Sequence, residues 1–273
     1  MIRHSLLIAL LAAGSAAVAP SLGAQAAAAR PADNLTMADS IQRAATASFF
    51  RGDRAGVRAA RMLGERGLAA HPNDALLLHQ TGYAFYREAL LLTSATTAQS
   101  RSPQDAKTLR DLLTRAEQTL NKSAALRRLP ETHALLSAVY GQQAGAARGV
   151  GAMRPGMRAG TEIERALDMD RDNPRVWLLR GTNALYTPAM WGGGQDKALE
   201  ALQRSIQLFA NDAQRGPLPT WGRAEAYAWL GIVHSRKREY AQARVAYNEA
   251  LRLEPSYGWV RDLLLPRLPQ AAR

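Results

Sequence analysis

An all-α solenoid of antiparallel helix hairpins, with long inserted loops and a short C-terminal capping helix, is the fold class the sequence predicts. Three observations predict it. Ala, Leu and Arg dominate the chain while aromatic residues make up 6%, and those three residue types lose little side-chain freedom on entering a helix. No stretch alternates apolar and polar residues as a half-buried strand would. A small residue on one predicted helix, followed by an Ala-x3-large pair on the next, recurs along the chain.

The first element stands apart from that solenoid. Met1-Ile2-Arg3-His4 is a short basic start, Leu6 to Ala13 is apolar, and small residues lead to Ala24-Gln25-Ala26. This is the pattern of a secretory leader cleaved after Ala26. Gly14, Ser15 and Pro20 interrupt it before the roughly 20 apolar residues that a membrane span needs. Residues 1–26 therefore read as a signal peptide, 27–36 as a flexible tail and 37–273 as the helical repeat domain. No later segment is apolar enough to span a membrane. The chain has no cysteine, which rules out disulfides, a thiol nucleophile and a lipid-modified cysteine. The expected product is a free protein of the bacterial periplasm.

Within the domain, a helix pair from Met37 to Ala70 is split near Arg51-Gly52-Asp53-Arg54 and linked onward by His71-Pro72-Asn73-Asp74. The next hairpin shows Thr81-Gly82-x2-Phe85, then Ala116-x3-Leu120-x2-Ser123, around a long loop over 93–104. A third shows Leu136-Ser137-x2-Tyr140, then Ala159-x3-Ile163-x2-Ala166, around a Gly-rich turn over 141–158. A fourth opens at Pro174, where the fixed φ of proline suits a first helical turn. It carries Trp177 and Gly181, then Ala198-x3-Leu202-x2-Ser205. Gly181 and Ala198 are 17 residues apart, against 12 from Gly231 to Ala243 in the last unit; the excess falls in the turn 187–194. After Pro255, residues 258–265 form a capping helix, needed because a solenoid end otherwise exposes its apolar face.

The last hairpin is the most complete. Tyr227, Leu230, Gly231 and His234, then Ala243, Tyr247, Ala250 and Pro255, place small residues where two helices cross and large ones where they fill the space between. This unit resembles a tetratricopeptide repeat, departing from it by His234 at a usual Tyr position and Arg238 at a usual Gly position. The resemblance implies a TPR-like solenoid whose first helices line a concave, partner-binding groove. With Gly82 as the buried crossing point, Tyr83, Tyr86 and Arg87 share a neighbouring stripe. By the same register Arg175, Thr182 and Tyr186 fall in the groove from the fourth hairpin, and Glu225, Trp229 and Arg236 from the last. Gly231→Leu should be destabilising, and Gly193→Ala in the surface turn much less so unless that glycine has positive φ.

The sequence offers no catalytic constellation, no cofactor fingerprint and no metal motif. His71 lies in a linker; His79, His133 and His234 sit on separate helices without a second ligand at zinc spacing. The cluster Gly192-Gly193-Gly194 precedes a helix but lacks phosphate-loop spacing. Trp191 beside it either packs back on the helices or is displayed for contact. The reading is of a non-enzymatic scaffold for a protein or peptide partner. The alternatives are a helical solute-binding protein, whose loops close over a small-molecule ligand, and a binder of anionic envelope surfaces. The last follows from a net charge of +12, of which the leader removes only Arg3. Export argues against nucleic acid as the partner of that charge.

Overall fold

The computed structural model describes residues 32–95, 101–147, 149–215 and 219–269; the leader over 1–26 lies outside them. The described residues contain ten α-helices: α1 (Ala32–Phe50), α2 (Arg54–Ala70), α3 (Ala75–Ala95), α4 (Pro103–Leu126), α5 (Pro130–Ala146), α6 (Met153–Met169), α7 (Pro174–Tyr186), α8 (Gln195–Leu208), α9 (Arg223–Arg236) and α10 (Tyr240–Leu253). They pack as five consecutive hairpins, and the first helices of successive hairpins lie side by side. Helix α1 opens at Ala32, ahead of the Met37 read from the sequence. No described helix is long and apolar enough to cross a membrane.

Helix starts follow local chemistry. The Asp53 carboxylate accepts from Gly56 N at 2.9 Å. Ser102 Oγ accepts from Asp105 N at 3.0 Å, just ahead of Pro103. Asn173 Oδ1 accepts from Arg175 N at 3.0 Å, and Pro174 follows as the first helical residue. Each such cap satisfies an amide that the helix itself leaves orphaned.

The recurring small residues are the crossing points. A Cβ on Gly82 would stand 2.6 Å from Leu120 Cγ, and one on Gly181 would stand 2.7 Å from Leu202 Cγ. In the third hairpin Ser137 occupies the equivalent place, and its hydroxyl donates to the Ala159 carbonyl at 2.6 Å. Ser123 and Ser205 donate to the Ala75 and Pro174 carbonyls, both at 2.7 Å, fastening the second helix to the start of the first. Arg238, at the usual glycine place of the last turn, has φ of +64°, a conformation that costs an L-residue energy and a glycine little.

Two inserted segments differ from the sequence reading. Most of the stretch 141–158 is helical: α5 runs on to Ala146, a 3-10 turn covers Gly149–Ala152 and α6 starts at Met153. The run Gln142, Gln143, Ala144 has good helix propensity, and the helix tolerates Gly145, whose Cβ position has open space around it. The turn 187–194 is ordered around a 3-10 turn, Ala189–Trp191, with Gly194 N donating to Ala184 O at 2.8 Å. Gly193 itself is confined, since a Cβ there would lie 2.1 Å from the Thr187 carbonyl oxygen. Gly193→Ala is therefore disruptive in this structure, and the sequence expectation of a tolerant surface turn is corrected.

The end of the solenoid also returns to its beginning. After α10, a π-helical turn (Trp259–Leu264) and a 3-10 turn (Leu265–Arg267) form the cap. Tyr257, which leads into that cap, meets Phe50 of α1 edge-on, with ring centroids 4.6 Å apart. Phe50, Tyr257 and Val260 are all buried in one cluster with the last hairpin. Gln42 of α1 exchanges hydrogen bonds with Thr220, ahead of α9: its amide donates to Thr220 Oγ1, and its Oε1 accepts from Thr220 N. Burial of one such aromatic side chain contributes about 1.5–3 kcal/mol, so the closing contacts hold the two ends together.

His79 of α3 is buried, with Nδ1 2.8 Å from Thr132 Oγ1 and Nε2 lacking a partner. Burial, helped by the nearby Arg175 charge, pulls its pKa from 6.5 down to about 4. The folded state therefore keeps His79 neutral where the unfolded chain binds a proton. Its contribution to stability is complete above pH 6.5 and is lost as the pH falls towards 4. At one pKa unit per 1.36 kcal/mol, about 2 kcal/mol should be lost between pH 7.5 and pH 5. Urea denaturation at the two pH values checks this, and His79→Gln should flatten the difference.

Candidate functional site

Residues of α3, α5, α6, α7 and α9, the turn after α7 and the C-terminal cap line a partly open cavity of about 1320 Å³. Small-molecule sites commonly occupy about 300–1,000 Å³, so this one admits a large occupant.

One wall is a run of aromatic side chains. Tyr186 meets Trp229 at 6.1 Å between centroids with planes at 87°, Trp229 meets Trp259 at 5.6 Å, and Trp259 meets Tyr257 at 6.2 Å. The lining also includes Met153 and Met157, one helical turn apart at the start of α6 and more than half exposed. Trp191 also lines the cavity with 62% of its surface exposed, which decides between packing and display in favour of display.

The floor is charged and buried. Arg87 of α3 and Glu225 of α9 form an ion pair, with side chains 5% and 4% exposed. The Arg87 guanidinium lies 4.3 Å from the Phe49 ring centroid, 4.7 Å from Tyr83 and 5.6 Å from Trp221. Burial pushes the Tyr83 phenol up to about 12, against the pull of the Arg87 charge. Burial likewise holds Tyr86 and Tyr257 well above the usual phenol range, so all three remain protonated hydrogen-bonding groups at neutral pH.

Of the nine groove positions read from the sequence, the cavity is lined by Tyr83, Tyr86, Arg87, Thr182, Tyr186, Glu225 and Trp229. Tyr83, Tyr86, Arg87 and Glu225 are buried there, while Tyr186 is 63% exposed at the rim. Arg236 stays outside, stacked over Tyr186 at 4.8 Å. Arg175 is elsewhere. Its guanidinium makes two hydrogen bonds to Asp212, at 2.7 and 2.6 Å, and ties down the connection between α8 and α9. The simple register overlooked that connection, which is much longer than a repeat-to-repeat turn.

The same connection brings in the residue the stripe missed. Trp221, 3% exposed, stacks on Tyr83 with centroids 5.4 Å apart and planes at 26°. It fills part of the concave side from within. Its sequence signal was the Trp-Gly pair immediately before the last repeat, where Gly222 takes φ of +114°. Phe49, Tyr257 and Trp259 reach the cavity only because the solenoid's ends meet.

His133 and His234 are engaged with carboxylates, their Nδ1 atoms each 2.6 Å from Glu162 and Glu239 respectively. Among the described residues no group of three or more His, Asp or Glu side chains is placed to hold a metal ion.

The Tetratricopeptide repeat family profile matches residues 224–257. No curated protein sequence matches the chain. Among solved structures, the HusA haemophore from Porphyromonas gingivalis is similar with a TM-score of 0.58 and 24% identity, over 76% of this chain and 94% of that one. TTC0263, a TPR protein of Thermus thermophilus, is similar with a TM-score of 0.54 and 18% identity, over 76% of this chain and 88% of that one. At these identities the likeness is one of fold. The last hairpin is thus a tetratricopeptide repeat, and with the crossing geometry repeated at Gly82, Ser137 and Gly181 the fold is that of a TPR-like solenoid.

Proposed function

We propose that this scaffold holds a large apolar ligand inside its concave cavity, in the bacterial periplasm, and performs no catalysis. The observation that carries the reading is the joining of α3 to α9 through Arg87 and Glu225, beside an aromatic-lined space of about 1320 Å³. An extended peptide needs a groove open along its length, whereas here Trp221 and the ion pair occupy part of the concave side. That obstruction favours the solute-binding alternative over a peptide groove. The likeness to a protein named a haemophore makes haemin a reasonable first probe. The periplasmic location rests on the leader alone.

A partner protein's apolar segment is the second reading, and the rim favours it. Val150, Met153, Met157, Met190 and Trp191 are 54–87% exposed, all on the two inserted segments. Exposed apolar groups gathered in one region mark contact surfaces, and methionine adapts to varied partners.

Protein recovered from periplasmic extract tests location and ligand together. Its intact mass should correspond to a chain cleaved after Ala26. Organic extraction followed by mass spectrometry should release an apolar compound, and titration with haemin or pyrene should quench tryptophan emission. A Tyr186→Ala/Trp229→Ala double variant should bind the probe about ten-fold more weakly while keeping its helical circular dichroism, because aromatic anchors dominate such contacts. No extracted compound and no probe binding would sink the cavity reading. Partner capture lost on Trp191→Ala/Met190→Asp but retained by the double variant would put the function on the rim. A product still beginning at Met1 would remove the periplasmic assignment.

A further inference from the structure

The floor of the cavity has unmet hydrogen-bonding capacity. Arg87 and Glu225 both line the cavity and are buried. Arg87 Nε, a donor, and Glu225 Oε2, an acceptor, are each buried without a partner. Buried polar atoms are almost always paired, so an orphan donor beside an orphan acceptor calls for a bound group. The pair's charges cancel, and aromatic rings enclose the guanidinium. An anion placed there meets the Glu225 carboxylate, and a cation meets Arg87. Elsewhere in the lining Arg180 is paired with Glu164 and Lys197 with Glu200, and Arg101 is likewise engaged.

We propose that the cavity's occupant presents an uncharged end group that both donates and accepts, a hydroxyl or an amide, to the Arg87–Glu225 pair. The ligand is then an amphiphile with a large apolar body and a neutral polar end seated deepest. This rests on the cavity being the ligand site, and it specifies the chemistry that site selects.

Three probes with one apolar body and different ends test it: 1-pyrenebutanol, 1-pyrenebutyric acid and 1-pyrenebutylamine, titrated into the mature protein and followed by tryptophan-to-pyrene energy transfer. At pH 7 the alcohol should bind about ten-fold or more tightly than the acid or the amine, because an unpaired buried charge costs far more than a hydrogen-bonded hydroxyl. Glu225→Gln leaves the Arg87 charge unbalanced and should shift the preference towards the acid by a similar factor. Equal or tighter binding of the acid or amine by the unaltered protein overturns the proposal, whether or not the variant folds. Failure of all three probes to bind removes the cavity reading and this inference with it. Binding of all three without discrimination leaves the cavity reading standing and defeats only the end-group selection.

Discussion

Glu225→Ala should cost the fold about 3–5 kcal/mol, the usual penalty for leaving a buried charge without its partner. Arg87 would keep its charge between Phe49, Tyr83 and Trp221, with no carboxylate to balance it. Neutralising it is no escape. Burial opposes the charged form, and in the variant Glu225 is no longer there to offset it, yet an arginine does not deprotonate in a protein. Replacing both partners, Arg87→Met with Glu225→Leu, should cost much less, since no orphan charge remains. Urea denaturation of the single and double variants measures the difference. A loss under about 1 kcal/mol for Glu225→Ala, a value typical of exposed ion pairs, would mean that α3 and α9 do not meet as described.

Gly231→Leu should be nearly as damaging, at about 3 kcal/mol, the upper end of the usual overpacking range. A Cβ alone at this position would sit 2.4 and 2.5 Å from Cε1 and Cδ1 of Tyr247. Tyr247 cannot readily yield: it is 2% exposed, and burial holds its phenol up at about 12. Gly160→Ala on α6 is the matching control. Its Cβ has open space around it, and alanine is better than glycine inside a helix by about 0.5–1 kcal/mol. The control should therefore gain stability where the crossing variant loses it. Equal melting temperatures for the Gly231 variant and the wild type would show that α9 and α10 do not cross there.

The contrast between these two sites tracks what was legible. Gly231 and Tyr247 are 16 positions apart in the sequence and belong to one hairpin, so their pairing is written in a repeating local pattern. Arg87 and Glu225 are 138 residues apart, on hairpins that are not neighbours in the chain. The register placed both on the inner side of the first helices, which is why they were candidates for a groove. Their mutual burial needed the accumulated turn of all the intervening hairpins. Arg175 failed for a related reason: it has the right register, but the connection carrying Asp212 claims it before any ligand could.

The sequence by itself determined the helical class, the links after α2 and α6, and the crossing residues. These depend on propensity, capping and side-chain size over a few helical turns, and such effects act locally. Its register also picked out seven residues that line the cavity, though not Arg175 or Arg236. Only the tertiary structure decided that the inner face is partly filled by Trp221 and that Gly193 has no room for a methyl group. It also decided that the two ends meet through Phe50 and Tyr257. The physical reason is that a solenoid's curvature is the sum of small rotations from one hairpin to the next. No single repeat encodes that sum, yet it sets whether the concave side is an open groove or an enclosed cavity.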